Sequence, residues 1–237
     1  MAKPHHQSCT GPILRRSAAI NRPVSSHVGR HTAHMNPDDQ TKIEAMVTAL
    51  AESLFSAWSH FHLLRGLHEG GRQHPVVLER FAQLFDQIWQ TAFDGVFAKT
   101  ATLFDRNKRN YSLPNLITLV RKYGDVDQKQ LLPEIEACLA EQDSPLAKIK
   151  RWRHEVVAHH TRSGRDSAFY IDNKMNLDDL EAALAQLEAL LNHVSSAVLG
   201  VHNDTRGSED LVGEGIALFA CLAAQLNVHV ATSPGVK

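Results

Sequence analysis

The sequence predicts an all-α protein: an antiparallel helical bundle with a disordered N-terminal tail and an extra C-terminal helix. Three observations lead there. Apolar residues return every three or four positions over long stretches, the period of one helix face, and no stretch alternates convincingly as a strand would. Helix-start signals precede these stretches, including Asn36-Pro37-Asp38-Asp39, Ser112-Leu113-Pro114 and Asn176-Leu177-Asp178-Asp179. The joins are short, as in bundles whose sequential helices lie side by side. The expected organisation is a basic tail over residues 1–36, the bundle over 37–200, and a linker, C-terminal helix and tail over 201–237.

The tail differs from everything after it. Met1 to Met35 holds Lys3, Arg15, Arg16, Arg22 and Arg30, five histidines, and no Asp or Glu. Its apolar residues keep no regular spacing, so it cannot bury enough surface to offset the entropy of ordering. An Arg- and Ser-rich, acid-free start also has the composition of a transit peptide. Met35 as the natural beginning is a further reading; a disordered extension is the simplest. His5-His6 and His31-x-x-His34 would make only an adventitious metal site.

From Asn36 a helix is expected, with a cap, a first-turn proline and acids at its positive end. Ile43, Met46, Val47, Leu50, Leu54, Trp58, Phe61 and Leu64 form its stripe, and Gly70-Gly71 and Pro75 punctuate. A second long helix carries Leu78, Phe81, Leu84, Phe85, Ile88, Trp89, Ala92 and Val96 on one face and reaches Leu103-Phe104-Asp105. After a polar connector, a short helix runs from Leu113 through Arg121 and ends at Gly124. Another spans Gln128 to Glu141. Asp143-Ser144-Pro145 caps a central helix, Thr161 to Asn173 is a polar loop, and Asn176 opens a long helix with Leu180, Leu184, Leu187, Leu190, Leu191, Val194 and Val198 inward. Val201 to Ser208 is a linker. Glu209 to Leu226 is a last helix, apolar nearly all round, and so either buried or docked on a partner.

Composition removes several function classes. Of 237 residues, 43% are hydrophobic, enough for a sizeable core, and the net charge is −1, so no global field recruits nucleic acid. A nucleic-acid site must therefore be a local patch. Cys9, Cys138 and Cys221 lie far apart, which points to a reduced, cytoplasmic setting. The longest apolar run, Ile216 to Ala224, falls short of the ~20 residues that span a bilayer. No cofactor is expected: there is no P-loop, Rossmann glycine pattern, GxSxG or HExxH. No metal is expected either, because His154, His159 and His160 lack a fourth ligand and the usual spacing.

The local patch is Lys148-Ile149-Lys150-Arg151-Trp152-Arg153-His154-Glu155-Val156-Val157-Ala158-His159-His160, the densest cationic segment. A purely structural reading explains much of it. Late cations complement the negative helix end, histidines in the last turn can bond free carbonyls, and Trp152, Val156 and Val157 are core positions. The order of residues adds a second reading. Arg153, a polar residue at 154, Val156-Val157, then Ala158-His159 resembles the Arg-x(4–6)-His signature of the HEPN superfamily of α-helical ribonucleases and RNA-binding proteins. The surroundings resemble its abortive-infection branch, the AbiU-type proteins of phage defence. A Trp-containing first helix precedes a long second helix ending near Leu103-Phe104-Asp105; then come Ser112-Leu113, the Trp152 to His159 helix and a long amphipathic helix. The resemblance covers about Asp38 to Leu199.

The resemblance implies metal-independent RNA cleavage by a toxin or phage-defence effector. Arg153 would bind the scissile phosphate and His159 would act as general acid or base. His154 would orient RNA or share proton transfer. Lys150, Arg151, His160, Arg162 and Arg165 would contact RNA, although Arg162 to Arg165 reads equally as a solvated loop. A catalytically inactive HEPN-type module that binds RNA or a protein is the alternative, and a plain helical interaction protein docking through Glu209–Leu226 is the third. Helix geometry constrains the first. Six residues at ~100° each leave Arg153 and His159 ~120° apart. Either the helix frays near Ala158, or a second subunit supplies the partner group. The HEPN resemblance implies a homodimer with the site at its interface. His160, seven residues from Arg153, is a rival to His159. An antitoxin protein is a further implied partner, but some relatives carry a tyrosine two residues after the histidine, for modification by the antitoxin, and here that place is Thr161. His60-Phe61-His62, near Trp58, is a further set: His60 is expected at the surface and Phe61 in the core.

Overall fold

The structure is a computed structural model; it describes residues 35–104, 107, 109–141, 144–152, 154, 174–207 and 210–232. All the regular elements among these residues are helices.

Helix α1 (Pro37–Gln73) is the axis of the molecule. Asn36 caps it, its side chain accepting from the Asp38 N–H at 3.2 Å, and Pro37 occupies the first turn. The expected stripe from Ile43 to Leu64 is buried throughout. Gly70-Gly71 does not end the helix. The chain stays helical to Gln73, where His74 donates to the Gly70 carbonyl and Pro75 begins α2 (Pro75–Arg80).

The expected second helix is two segments, α2 and α3 (Ala82–Leu103), separated at Phe81, whose backbone leaves helical angles (φ −118°, ψ 30°). The two therefore do not share one face. Phe85, Ala92 and Val96 are buried as expected, but Leu78 and Leu84 are 40% and 55% exposed. Helix α4 (Leu113–Tyr123) starts on Ser112 and ends at Gly124, whose N–H donates to Val120. The expected Gln128–Glu141 helix also divides, into α5 (Val126–Gln130) and α6 (Leu132–Ala140). Asp125 and Gln128 form a capping box on α5. Pro133 explains the break: it has no N–H to continue the ladder, and its ring would clash with the carbonyl four residues back.

Helix α7 (Pro145–Trp152) follows, then α8 (Leu177–Leu199), capped by the Asn176–Asp179 box and closed by Gly200 at φ 67°. Helix α9 (Asp210–Thr232) completes the described chain. Helix α3 runs antiparallel to α1, as His60 against Gly95 and His68 against Trp89 require, and α8 meets α1 at the Arg65–Glu181 pair. The main core is built from α1, α3, α4, α6, α7 and α8. Leu67, Val77, Phe85 and Phe219 make a second cluster under α9.

The α1 glycines serve α9, which lies along α1 in the same direction. A Cβ on Gly66 would come within 2.9 Å of the Val212 carbonyl, and one on Gly215 within 2.8 Å of the Gly66 backbone. The two backbones touch, and Phe219 fills the space beside Gly70 and stacks on Phe85 at 4.3 Å. Helix α9 therefore buries Gly215 and Phe219 and leaves Leu218 and Cys221 exposed. Among the described residues it is docked on its own chain along one edge.

The connector over 201–207 is tied down along its length. Asn203 exchanges backbone bonds with the Asn192 side chain at 2.7 and 3.0 Å and donates to Ser195. Glu188 accepts from Thr205 and Arg206, both at 2.9 Å. His62 Nε2 donates to the Arg206 carbonyl at 2.9 Å while its ring stacks on Trp58.

The glycine contact gives a paired test of sign. An open helical glycine replaced by alanine gains ~1 kcal/mol in helix propensity. Gly213→Ala, with nothing within 4 Å, should raise the unfolding midpoint. Gly66→Ala should lower it, because overpacking against backbone costs about 1–3 kcal/mol and outweighs that gain. Urea unfolding of both variants checks the pair; equal shifts would remove the backbone contact.

Candidate functional site

The site is built on α7. Ser144 Oγ accepts from the Ala147 N–H at 3.2 Å and donates to the Glu141 carbonyl, so this short helix starts in a fixed place. Its apolar residues, Leu146, Ile149 and Trp152, recur every third position and are all buried. Trp152 meets Phe93 edge-on with ring centroids 5.8 Å apart, and Phe97 lies 6.1 Å away. Two aromatic rings of α3 therefore hold the C-terminal end of α7.

The polar residues of α7 divide in role. Lys148 Nζ pairs with Asp179 Oδ1 at 3.1 Å, while Asp179 Oδ2 accepts from the Asn176 N–H. The pair ties α7 to the first turn of α8. Lys150 is half-buried; it donates to the Leu139 carbonyl and lies 4.7 Å from the Phe104 ring centroid. Arg151 and His154 are exposed. Lys150, Arg151 and His154 thus share one end of α7. Arg153, His159, His160, Arg162 and Arg165 lie outside the described residues.

Of the second set, Phe61 is fully buried as expected. His60 is half-buried, with its ring over Gly95 and Nδ1 2.7 Å from the Ser56 carbonyl. His62 is buried under the connector, a fixed structural group.

Along α1 lie two cavities, neither lined by α7, that a reading of the α7 motif misses. One, of about 460 Å³, opens between α1, α3 and the start of α8; its lining includes Arg65, His68, Trp89, Phe93, Asp178 and Glu181. The other, of about 760 Å³, is apolar, with Leu67, Leu78, Phe85 and Phe219 in its wall. His68, Arg72 and Trp89 line both and form the ridge between them. Their signal in the sequence is the spacing Arg65, His68, Arg72, a polar stripe at three- and four-residue steps running alongside the core stripe of α1.

Among the described residues, no group of three His, Cys, Asp or Glu side chains is placed to hold a metal, and no helix is long and apolar enough to cross a membrane. The arrangement can attract a phosphate chain through cations at a helix end and offer an imidazole for proton transfer.

Trp152 should be the most sensitive position of α7. Trp152→Ala is expected to lose about 3–5 kcal/mol, as core aromatic truncations do, with amide exchange of α7 accelerating before that of α1. A loss below ~1 kcal/mol in urea unfolding would mean that the aromatic contact does not hold the helix.

A family model described as AbiU2 (HEPN_AbiU2) matches residues 40–211. No curated protein and no solved structure matches the chain.

Proposed function

The chain belongs to the HEPN_AbiU2 family, and from that membership we propose that it is an abortive-infection effector acting as a metal-independent endoribonuclease. The observation that carries the reading is the α7 segment: an exposed cationic helix end, with Arg151 and His154, leading directly into Arg153 and, six residues on, His159.

The chemistry is cleavage by the neighbouring hydroxyl. The 2′-hydroxyl loses its proton to an imidazole as its oxygen bonds to phosphorus. The bond from phosphorus to the 5′-oxygen breaks, and that oxygen takes up a proton. The products are a 2′,3′-cyclic phosphate and a 5′-hydroxyl. Arg153 holds the phosphate, where its planar guanidinium meets two oxygens and the developing charge. His159 moves the proton, as an imidazole can in either direction. His154 orients the RNA; Lys150, Arg151, His160, Arg162 and Arg165 bind its backbone. A regular helix would leave residues six apart ~120° from each other, so in this proposal Arg153 and His159 act together from two chains of a twofold dimer. RNA and a second copy of the chain are the partners, with an antitoxin protein as the regulator.

A second reading, an inactive module that binds RNA or a protein, has one observation in its favour. Lys148 and Lys150 are engaged within the fold, by Asp179 and by the Leu139 carbonyl, so part of the cationic segment has a structural use.

The test is cleavage of total RNA in EDTA. The wild type should cut and leave cyclic phosphate ends. Arg153→Ala and His159→Ala should each lose at least about 100-fold in rate, the usual size of a lost acid–base group, with unfolding midpoints unchanged. Equal activity in His159→Ala, or a metal requirement, rejects the mechanism. RNA affinity without cleavage by the wild type selects the second reading.

A further inference from the structure

We propose that the 460 Å³ cavity between α1, α3 and the start of α8 is a nucleobase subsite for single-stranded RNA; this rests on the ribonuclease reading above. Trp89 is its stacking face, and His68 and Arg72 are donors in its wall.

Position is the first argument. Phe93 lines the cavity and also packs edge-on against Trp152, the residue before Arg153. The wall of the cavity at Phe93 is thus one aromatic contact away from the C-terminal end of α7, the helix on which the proposed site is built. Size is the second: 460 Å³ lies within the ~300–1,000 Å³ of small-ligand sites.

Chemistry is the third, and it separates a base from a phosphate. Trp89 is half-buried and has the His68 ring 6.3 Å away, so aromatic faces are available for stacking. Around them stand both donors and acceptors: Arg65, Glu69 and Arg72 from α1, and Asp178 and Glu181 from α8. Three carboxylates would repel a phosphate. A base edge presents amino donors and carbonyl acceptors together and suits such a mixed rim. The existing ion pairs do not block it. Arg65–Glu181 is close to half exposed at both ends, and Arg72 reaches Glu69 only at 4.0 Å, so both are readily exchanged. The apolar cavity behind Trp89 offers few donors, so base recognition belongs to the smaller one.

The experiment uses the full chain and fluorescein-labelled 2′-O-methyl hexanucleotides, whose blocked 2′-oxygen prevents cleavage. Adenine, cytosine, guanine and uracil oligomers are compared by anisotropy with an abasic hexamer of the same charge. At least one base-bearing oligomer should bind the wild type about tenfold or more tighter than the abasic one, within the range for one stacked base. Trp89→Leu should bring it within about twofold of the abasic oligomer, and His68→Ala/Arg72→Ala should weaken it severalfold. The double variant alters only exposed side chains and carries the test if Trp89→Leu does not fold. Base-bearing oligomers binding no better than abasic, or a preference retained in the variants, overturns the subsite. If the wild type still cuts unmodified RNA in EDTA, the ribonuclease reading survives that result. Neither binding nor cleavage by the wild type overturns both.

Discussion

The contact between Trp152 and the two phenylalanines of α3 is what the functional reading depends on. Helix α7 is described over Pro145–Trp152. Its direction is set by burying Leu146, Ile149 and Trp152, and its last turn is held by Phe93 and Phe97. With that face inward, the residues between must face out or sideways. The same burial that stabilises the helix therefore leaves Arg151 at the surface near its end, where His154 is also exposed. The Lys148–Asp179 pair adds a tie to α8. Being 39% and 22% exposed at its two ends, it contributes little energy and mostly fixes direction.

A second constraint acts at the other side of α1. Glycine there is a matter of space: only hydrogen at positions 66 and 215 lets two helix backbones meet. This close contact, the Phe85–Phe219 stack and the hydrogen-bonded connector bring α9 onto the same α1 that supports α3 and α8. The ridge of His68, Arg72 and Trp89 lies between these two constraints, with Phe219 in the wall of one cavity and Phe93 in that of the other.

What was legible in the sequence was local. Asn36, Ser112 and Asn176 announce helix starts because a capping side chain bonds to backbone two or three residues away. The stripes of α1 and α8 are legible because one helix face repeats. What needed a partner was not. The break at Phe81 has no cap or proline of its own, so Leu78 and Leu84 read as core. Gly70-Gly71 reads as a stop when nothing in the chain says that Phe219 will lie against it. Pro133 was a visible signal for dividing α5 from α6. The candidate site divides in the same way. Trp152 could be placed in the core from its spacing, whereas the cavity joins residues more than 100 positions apart, such as Arg65 and Glu181.

Function enters through family membership, and the proposed chemistry sets one geometric condition: on a regular helix an arginine and a histidine six residues apart would point ~120° apart and need help to meet on a phosphate. A mixed-dimer measurement asks this directly. Arg153→Ala and His159→Ala chains, each inactive alone, are mixed, allowed to exchange subunits, and assayed in EDTA. If each site takes its guanidinium from one chain and its imidazole from the other, half the dimers carry one intact site, and about a quarter of wild-type activity returns. If the mixture stays as inactive as its components while exchange is verified, the two groups do not act across chains, and the account of the centre is wrong.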